Sequence, residues 1–369
     1  MWERRIVGRP CFDGGMDQAQ RLQQETRAIW ATALCFIVGT LGGTLLLRGV
    51  PRPLAGDGSV VLPVAVVAAI CAAAAFVVST LLHRRGETRP MPRWQARASD
   101  VSAVALTVAF AGVTAMGVLL AGEILDVGLQ GVELPAVGGG VLAGAASAMG
   151  GRFAFGAGVG LRTVDLAGLL FGYLVIGTLF AMLTAADPRW WELNFSQLGA
   201  GAGAWAFNGT LVVAGLLVAT VGSYIGRDLH RLRGDEALRR IGWVVALWVA
   251  AGLLLAAVGL IPLHLAPIPH NVAAFGALAF FAAAGTATTF AIPNAPRALV
   301  ITTVGIAILI AAAVVLSMVF RLFSVTALEA MVIGLGLVWM TTLVRILSVL
   351  IPEGSRPSLR ASLLRSVAR

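Results

Sequence analysis

The chain contains no lysine; all 27 of its basic residues are arginine. A Walker A phosphate loop cannot be written without that lysine, so the chain is not a P-loop ATPase by itself. Charge of either sign is scarce. Charged residues fill 12% of 369 positions, against about 25% in soluble domains. Tyrosine occurs twice. The three cysteines, Cys11, Cys35 and Cys71, form neither a CxxC metal pair nor an extracellular disulfide framework, and they read as inert thiols.

What is present is apolar. Hydrophobic residues make up 58% of the chain and the mean hydropathy is +0.89, values of an integral membrane protein. A net charge of +9 would suggest nucleic acid in a soluble chain. Here it reads as the flanks of membrane spans, and no nucleic-acid partner is expected. Arginine without lysine, with abundant Ala, Gly and Val, suits a high-GC bacterial genome. The expected location is therefore the plasma (inner) membrane, crossed many times.

A hydrocarbon core about 30 Å thick needs about 20 apolar residues per helix. Ten stretches qualify: roughly 28–48, 59–82, 101–122, 132–150, 164–186, 205–226, 241–263, 271–292, 298–320 and 325–349. The fourth, rich in glycine, is the weakest and could be broken or re-entrant. Arginine tests the count independently. With the N-terminus in the cytoplasm and strict alternation, 23 of the 27 arginines fall inside. Only Arg48, Arg52, Arg189 and Arg321 fall outside. Deleting the fourth span would put the arginine-rich 227–240 loop outside, so that span is kept. The fold class is all-α, a polytopic membrane helix bundle with both termini cytoplasmic. Its expected parts are a cytoplasmic segment 1–27, a four-span module 28–163, a six-span module 164–349 and a basic tail 350–369. The first span is too long for a cleaved signal h-region, and Met16 is a reasonable alternative start.

Small residues four apart let helices approach closely. The pairs Gly39/Gly43, Gly140/Gly144, Gly168/Gly172 and Gly222/Gly226 are expected to pack within the chain. A homo-oligomer is compatible with them, but nothing indicates one. Almost no charge lies mid-span, whereas ion-coupled transporters usually place an acid near the midplane. His83 and His230, in the arginine-rich loops, read as solvated. Those loops could meet anionic lipid headgroups, although fixing topology is the plainer account.

The remaining polar chemistry gathers on the outer face. "DPRWWELNFSQLGAGAGAW" (187–205) supplies Glu192, Asn194, Ser196 and Gln197, flanked by Trp190, Trp191 and Trp205 as interfacial anchors. "IPLHLAPIPHN" supplies His264 and His270, and Glu329 lies about one turn inside the tenth span. Glu192, Asn194, Ser196, Gln197, His270 and Glu329 are the candidate ligand-binding residues. Ser196 becomes a nucleophile only if a histidine reaches it. His264 and His270, six apart with prolines between, are not a helical zinc pair. No motif implies a metal or a cofactor, and no catalytic residue is assigned.

The last six spans resemble a known family. "LAGLLFGYLVIGTLFAML", then "NFSQLG", "WAFNGTLVVAGLLVA" and "HNVAAFGALAFF" are similar to the bacterial membrane family known as domain of unknown function 998, over about 164–349. Ser196, Leu198, Gly199, Phe207, Asn208, Gly215 and His270 carry the resemblance. The loop is more faintly similar to the Frag/DRAM/Sfk family, whose members are associated with lipid handling. The resemblance implies an architecture and an outer-face site, and no reaction. The sequence thus points to a membrane protein that engages membrane lipid or another hydrophobic ligand outside, without catalysis. The rival readings are an outer-face hydrolase built from His264, His270, Glu192 and Glu329, and a secondary transporter.

Overall fold

The computed structural model describes residues 18–54, 56, 58–83 and 93–351. Met16, Cys11, the arginines of 84–92 and the tail from 352 onward lie outside the described residues. Among the described residues ten long helices form an all-α bundle. They are α1 (Gln18–Leu46), α2 (Val61–Leu82), α3 (Arg93–Gly128), α4 (Ala136–Val159) and α5 (Thr163–Leu183), then α6 (Ala204–Arg233), α7 (Leu238–Leu260), α8 (Pro267–Ala291), α9 (Arg297–Met318) and α10 (Val325–Leu350). All but α4 are long and apolar enough to cross a membrane.

Local chemistry sets the ends. Ser324 accepts a hydrogen bond from the Ala327 N–H and opens α10, the usual use of serine at an N-cap. Pro267 sits in the first turn of α8, where its missing N–H is not needed. Gly234, at φ +72°, ends α6 in a conformation that other residues rarely adopt. Several helices outrun their apolar windows. At 36 residues and 1.5 Å per residue, α3 is about 54 Å long, well beyond a hydrocarbon core. The sixth span, expected to stop near 226, continues to Arg233.

Contacts between chain ends sort the connections onto two faces. On one face Arg152 pairs with Glu25 and Ser79 donates to Phe155 O at 2.6 Å. Thr163 donates to Asp228 and Arg233 to Ala291 O on that same face. These join the starts of α1 and α5 and the ends of α2, α4, α6 and α8. On the opposite face a short antiparallel ladder pairs β1 (Arg52–Pro53) with β2 (Glu133–Leu134). Ser196 there meets His270 and Glu329 meets Phe195. Among the described residues Arg48, Arg52, Arg189 and Arg321 belong to this second face, and the other arginines lie toward the first.

The fourth helix is continuous from Ala136 to Val159, which counts against a broken element there. It packs between α1 and α2. A methyl group at Gly140 would collide with Thr44 Oγ1, and one at Gly144 with Thr40 Oγ1. Gly39 and Gly43 close on the same helix through Ser147 and Ala143. Gly222 and Gly226 likewise receive Trp248 and Val245. Gly168 and Gly172 depart from expectation: no atom lies within 4 Å of a Cβ built at either position. They face out of the bundle, where neither helix approaches.

The largest buried cluster runs through α2, α3, α5, α6, α7 and α10. Its indole donors are satisfied internally, as a hydrocarbon environment requires. Trp248 Nε1 donates to Thr288 Oγ1 at 3.0 Å and Trp339 Nε1 to Thr303 Oγ1 at 2.9 Å. Outward, α9 presents Ile301, Ile308 and Leu309 more than half exposed, a surface suited to acyl chains.

Candidate functional site

The connection from α5 to α6 is held at every stage. Asp187 Oδ1 accepts from the Arg189 N–H at 2.8 Å, turning the chain out of α5. Two short 3-10 turns follow, Trp190–Glu192 and Phe195–Gly199. The Trp190 ring packs on Phe195 with centroids 5.2 Å apart. Thr326 of α10 donates to Trp191 O at 2.8 Å. Glu329, one turn further along α10, accepts from the Phe195 N–H at 2.8 Å. Asn208 of α6 donates to Gly199 O at 3.3 Å. Any side chain at Gly199 would meet Asn208 Oδ1, 2.5 Å from an added Cβ. Leu198 is buried beneath the turn.

This clamping aims Ser196 at α8. Its Oγ lies 2.9 Å from His270 Nε2. The other ring nitrogen, Nδ1, lies 2.6 Å from Ile261 O at the end of α7. A carbonyl can only accept, so Nδ1 carries the proton. In the neutral imidazole Nε2 is then the acceptor, and the Ser196 hydroxyl donates to it. His270 is 3% exposed, and the Glu329 carboxylate lies within electrostatic reach of its ring. The result is a hydroxyl, an imidazole of fixed tautomer and a carboxylate, from three separate elements.

The other sequence candidates fall around this core unequally. Asn194 is half-buried, and its Oδ1 is buried without a hydrogen-bond partner among the described residues. Gln197 is half-buried and Glu192 exposed. His264 is exposed in the α7–α8 turn, and its side chain takes no part in the Ser196–His270–Ile261 chain. Among the described residues no three of His, Cys, Asp and Glu converge as a metal site. Trp191 and Trp205 are about half exposed, as interfacial anchors would be, while Trp190 turns inward onto Phe195.

A second polar cluster, at the arginine-rich end, escaped sequence reading. Arg227, Asp228 and His230 of α6 are all buried. Thr163 donates to Asp228, and His230 Nε2 lies 2.7 Å from Asp235 Oδ1. The Arg227 guanidinium stacks 4.7 Å from the Tyr224 ring centroid. His83 and His230, expected in water, are buried. His83 lies against Ser79 and meets the Phe155 ring edge-on. The reason is that α2 and α6 carry them back against neighbouring helices. The signal was available: Tyr224, Arg227, Asp228 and Arg231 recur at the three-to-four spacing of one helix face.

Residues 166–346 match the family model described as protein of unknown function (DUF998). No curated protein and no solved structure matches the chain, and nothing supports the fainter Frag/DRAM/Sfk similarity. The residues that suggested the family each occupy a packed or bonded position. Ser196 meets His270, Asn208 holds Gly199 O, and Gly215 lies against the Gly252 backbone. The chain is a multi-pass membrane protein whose α5–α10 segment, residues 166–346, matches the model of the DUF998 family.

Proposed function

We propose that Ser196 and His270 form the nucleophile–base pair of a membrane hydrolase acting on an amphipathic, lipid-type ester at the outer face. The observation that carries this reading is the 2.9 Å contact between Ser196 Oγ and His270 Nε2. The orienting Nδ1–H bond to Ile261 O leaves Nε2 free to take the serine proton. A nucleophile, a base within reach and a group that orients the base are the three parts such chemistry needs.

The step balances within these residues. Ser196 Oγ bonds to the ester carbonyl carbon while its proton passes to His270 Nε2. His270 returns that proton to the departing alcohol as the ester C–O bond breaks. Water then attacks the acyl-serine, gives its proton to His270 and releases the acid, and the proton goes back to Ser196. Ile261 O favours the transient imidazolium by accepting from Nδ1–H, and Glu329, when ionised, adds Coulomb attraction. The substrate is taken as lipid because the half-exposed Trp191 and Trp205, with Leu193, rim the loop.

Reaction of the purified protein with a fluorophosphonate probe tests this. Intact-mass spectrometry is expected to find one adduct, on Ser196, absent in Ser196→Ala. His270→Gln should slow labelling about a hundredfold or more, the scale of lost general-base catalysis. An unlabelled serine at probe concentrations that saturate a control hydrolase would reject the reading.

The burial of His270 favours a second reading, in which the same groups bind and do not react. The polar end of a lipid would then be held by Ser196, Asn194 and Gln197, with Glu192, His270 and Glu329 around it. Lipid retained in native mass spectra by protein that the probe leaves unlabelled would support it.

A further inference from the structure

We propose that the arginine-rich end of the bundle holds an anionic phospholipid in a cleft between α7 and the end of α8, on the face opposite Ser196. The cleft is shallow and open on its outer side, with a volume of about 940 Å³. Its polar wall comes from Arg233, Arg239 and Arg240, against a single carboxylate, Glu236. Its apolar wall includes Trp243 and Phe290, each 66% exposed.

The two walls match the two halves of a phospholipid. Arginine presents a planar fork of donors that suits phosphate oxygens. Arg233 is pre-positioned, because its Nε donates to Ala291 O at the end of α8. That bond fixes the stem and holds the guanidinium at the cleft wall. Trp243 and Phe290, one on each helix, offer flat apolar surface beside the arginines, where the first methylenes of an acyl chain would lie. A soluble phosphate would use the arginines and leave the aromatics unexplained, so the cleft is assigned to a lipid. Three cations against one acid select a negative headgroup over a zwitterionic one. The arginine excess on this face reads as cytoplasmic, and the cytoplasmic leaflet is the one that carries anionic lipid. None of this draws on Ser196 or His270.

The test is native mass spectrometry of the full chain in detergent with palmitoyl-oleoyl phosphatidylglycerol or phosphatidylcholine added. Wild type should retain the glycerol lipid at least tenfold better. Each arginine lost should weaken that retention about fivefold, as expected for one basic residue at an anionic membrane surface. The Arg239→Gln/Arg240→Gln double variant should therefore lose the preference, and Arg239→Lys/Arg240→Lys should keep most of it. Trp243→Ala should weaken both lipids. Thermal melts of each variant confirm folding, and the single variants Arg239→Gln and Arg240→Gln, each expected to lose about fivefold, serve if the double one does not fold. Equal retention of both lipids by wild type, or unchanged preference in the glutamine variant, would overturn the proposal. So would displacement of the lipid by an equal concentration of glycerol phosphate, since the acyl chains would then contribute nothing.

Discussion

Thr163 and Asp228, 65 positions apart in the chain, meet inside the arginine-rich end of the bundle, the hydroxyl donating to the carboxylate. Both residues are buried, so the start of α5 is tied to the last turns of α6 by a bond that water does not replace. Asp228→Ala leaves the Thr163 hydroxyl without this acceptor, at a cost of about 1–3 kcal/mol. A lower thermal midpoint in detergent is expected, and Asp228→Asn, which keeps an acceptor oxygen, should recover most of it. An unchanged midpoint in Asp228→Ala would show that the bond contributes nothing.

Gly215 and Gly252 bring α6 and α7 into backbone contact. A methyl group at Gly215 would collide with Gly252 O, and a backbone atom cannot rotate aside. Gly215→Ala should destabilise by about 1–3 kcal/mol, as overpacked cores do. Gly209→Ala, on the same helix with nothing within 4 Å of the added carbon, should not. Equal melts for the two variants would contradict the close approach.

Glu329 accepts from the Phe195 N–H and, when ionised, interacts electrostatically with His270. The two effects separate by substitution. Glu329→Gln keeps the acceptor and removes the charge, so stability should hold while fluorophosphonate labelling of Ser196 slows. Glu329→Leu also orphans the N–H and should lower stability by about 1–3 kcal/mol. Faster labelling in Glu329→Gln would reverse the role given to the carboxylate.

Ser196 and His270 are expected to be coupled energetically as well as chemically. A double-mutant cycle with Ser196→Ala and His270→Ala should return an interaction of about 0.5–3 kcal/mol, the range for directly bonded neighbours. Additive losses, measured by chemical or thermal unfolding in one detergent, would mean the contact is not maintained in solution.

The helix count was readable because lipid imposes it. Hydropathy gave the spans, and arginine asymmetry retained α4 where hydropathy alone drops it. The loop from 187 to 205 stood out because it concentrates polar side chains between two apolar runs. Helix lengths were less readable: an apolar window registers transfer to lipid and stops at the first arginine, while α6 continues because its charged turns pack against protein. His230 was misjudged for that reason. The meeting of Ser196 with His270 could not be read, since 74 residues separate them and only the placement of α8 beside the loop joins them. His264, in the same proline-rich turn, looked equivalent in the sequence and stays exposed, because it precedes the helix that carries His270 inward.

The glycine-lined α4 has a consequence for how the chain is made. Less apolar over its best window than the helices that qualify as spans, it is seated in the grooves of α1 and α2. A nascent chain would therefore have to hold those two helices near the insertion channel until α4 emerges. A bulky residue at Gly144 would meet Thr40 and the α1 backbone, so its damage would fall on the seating of α4 during synthesis, before the finished protein had any stability to lose.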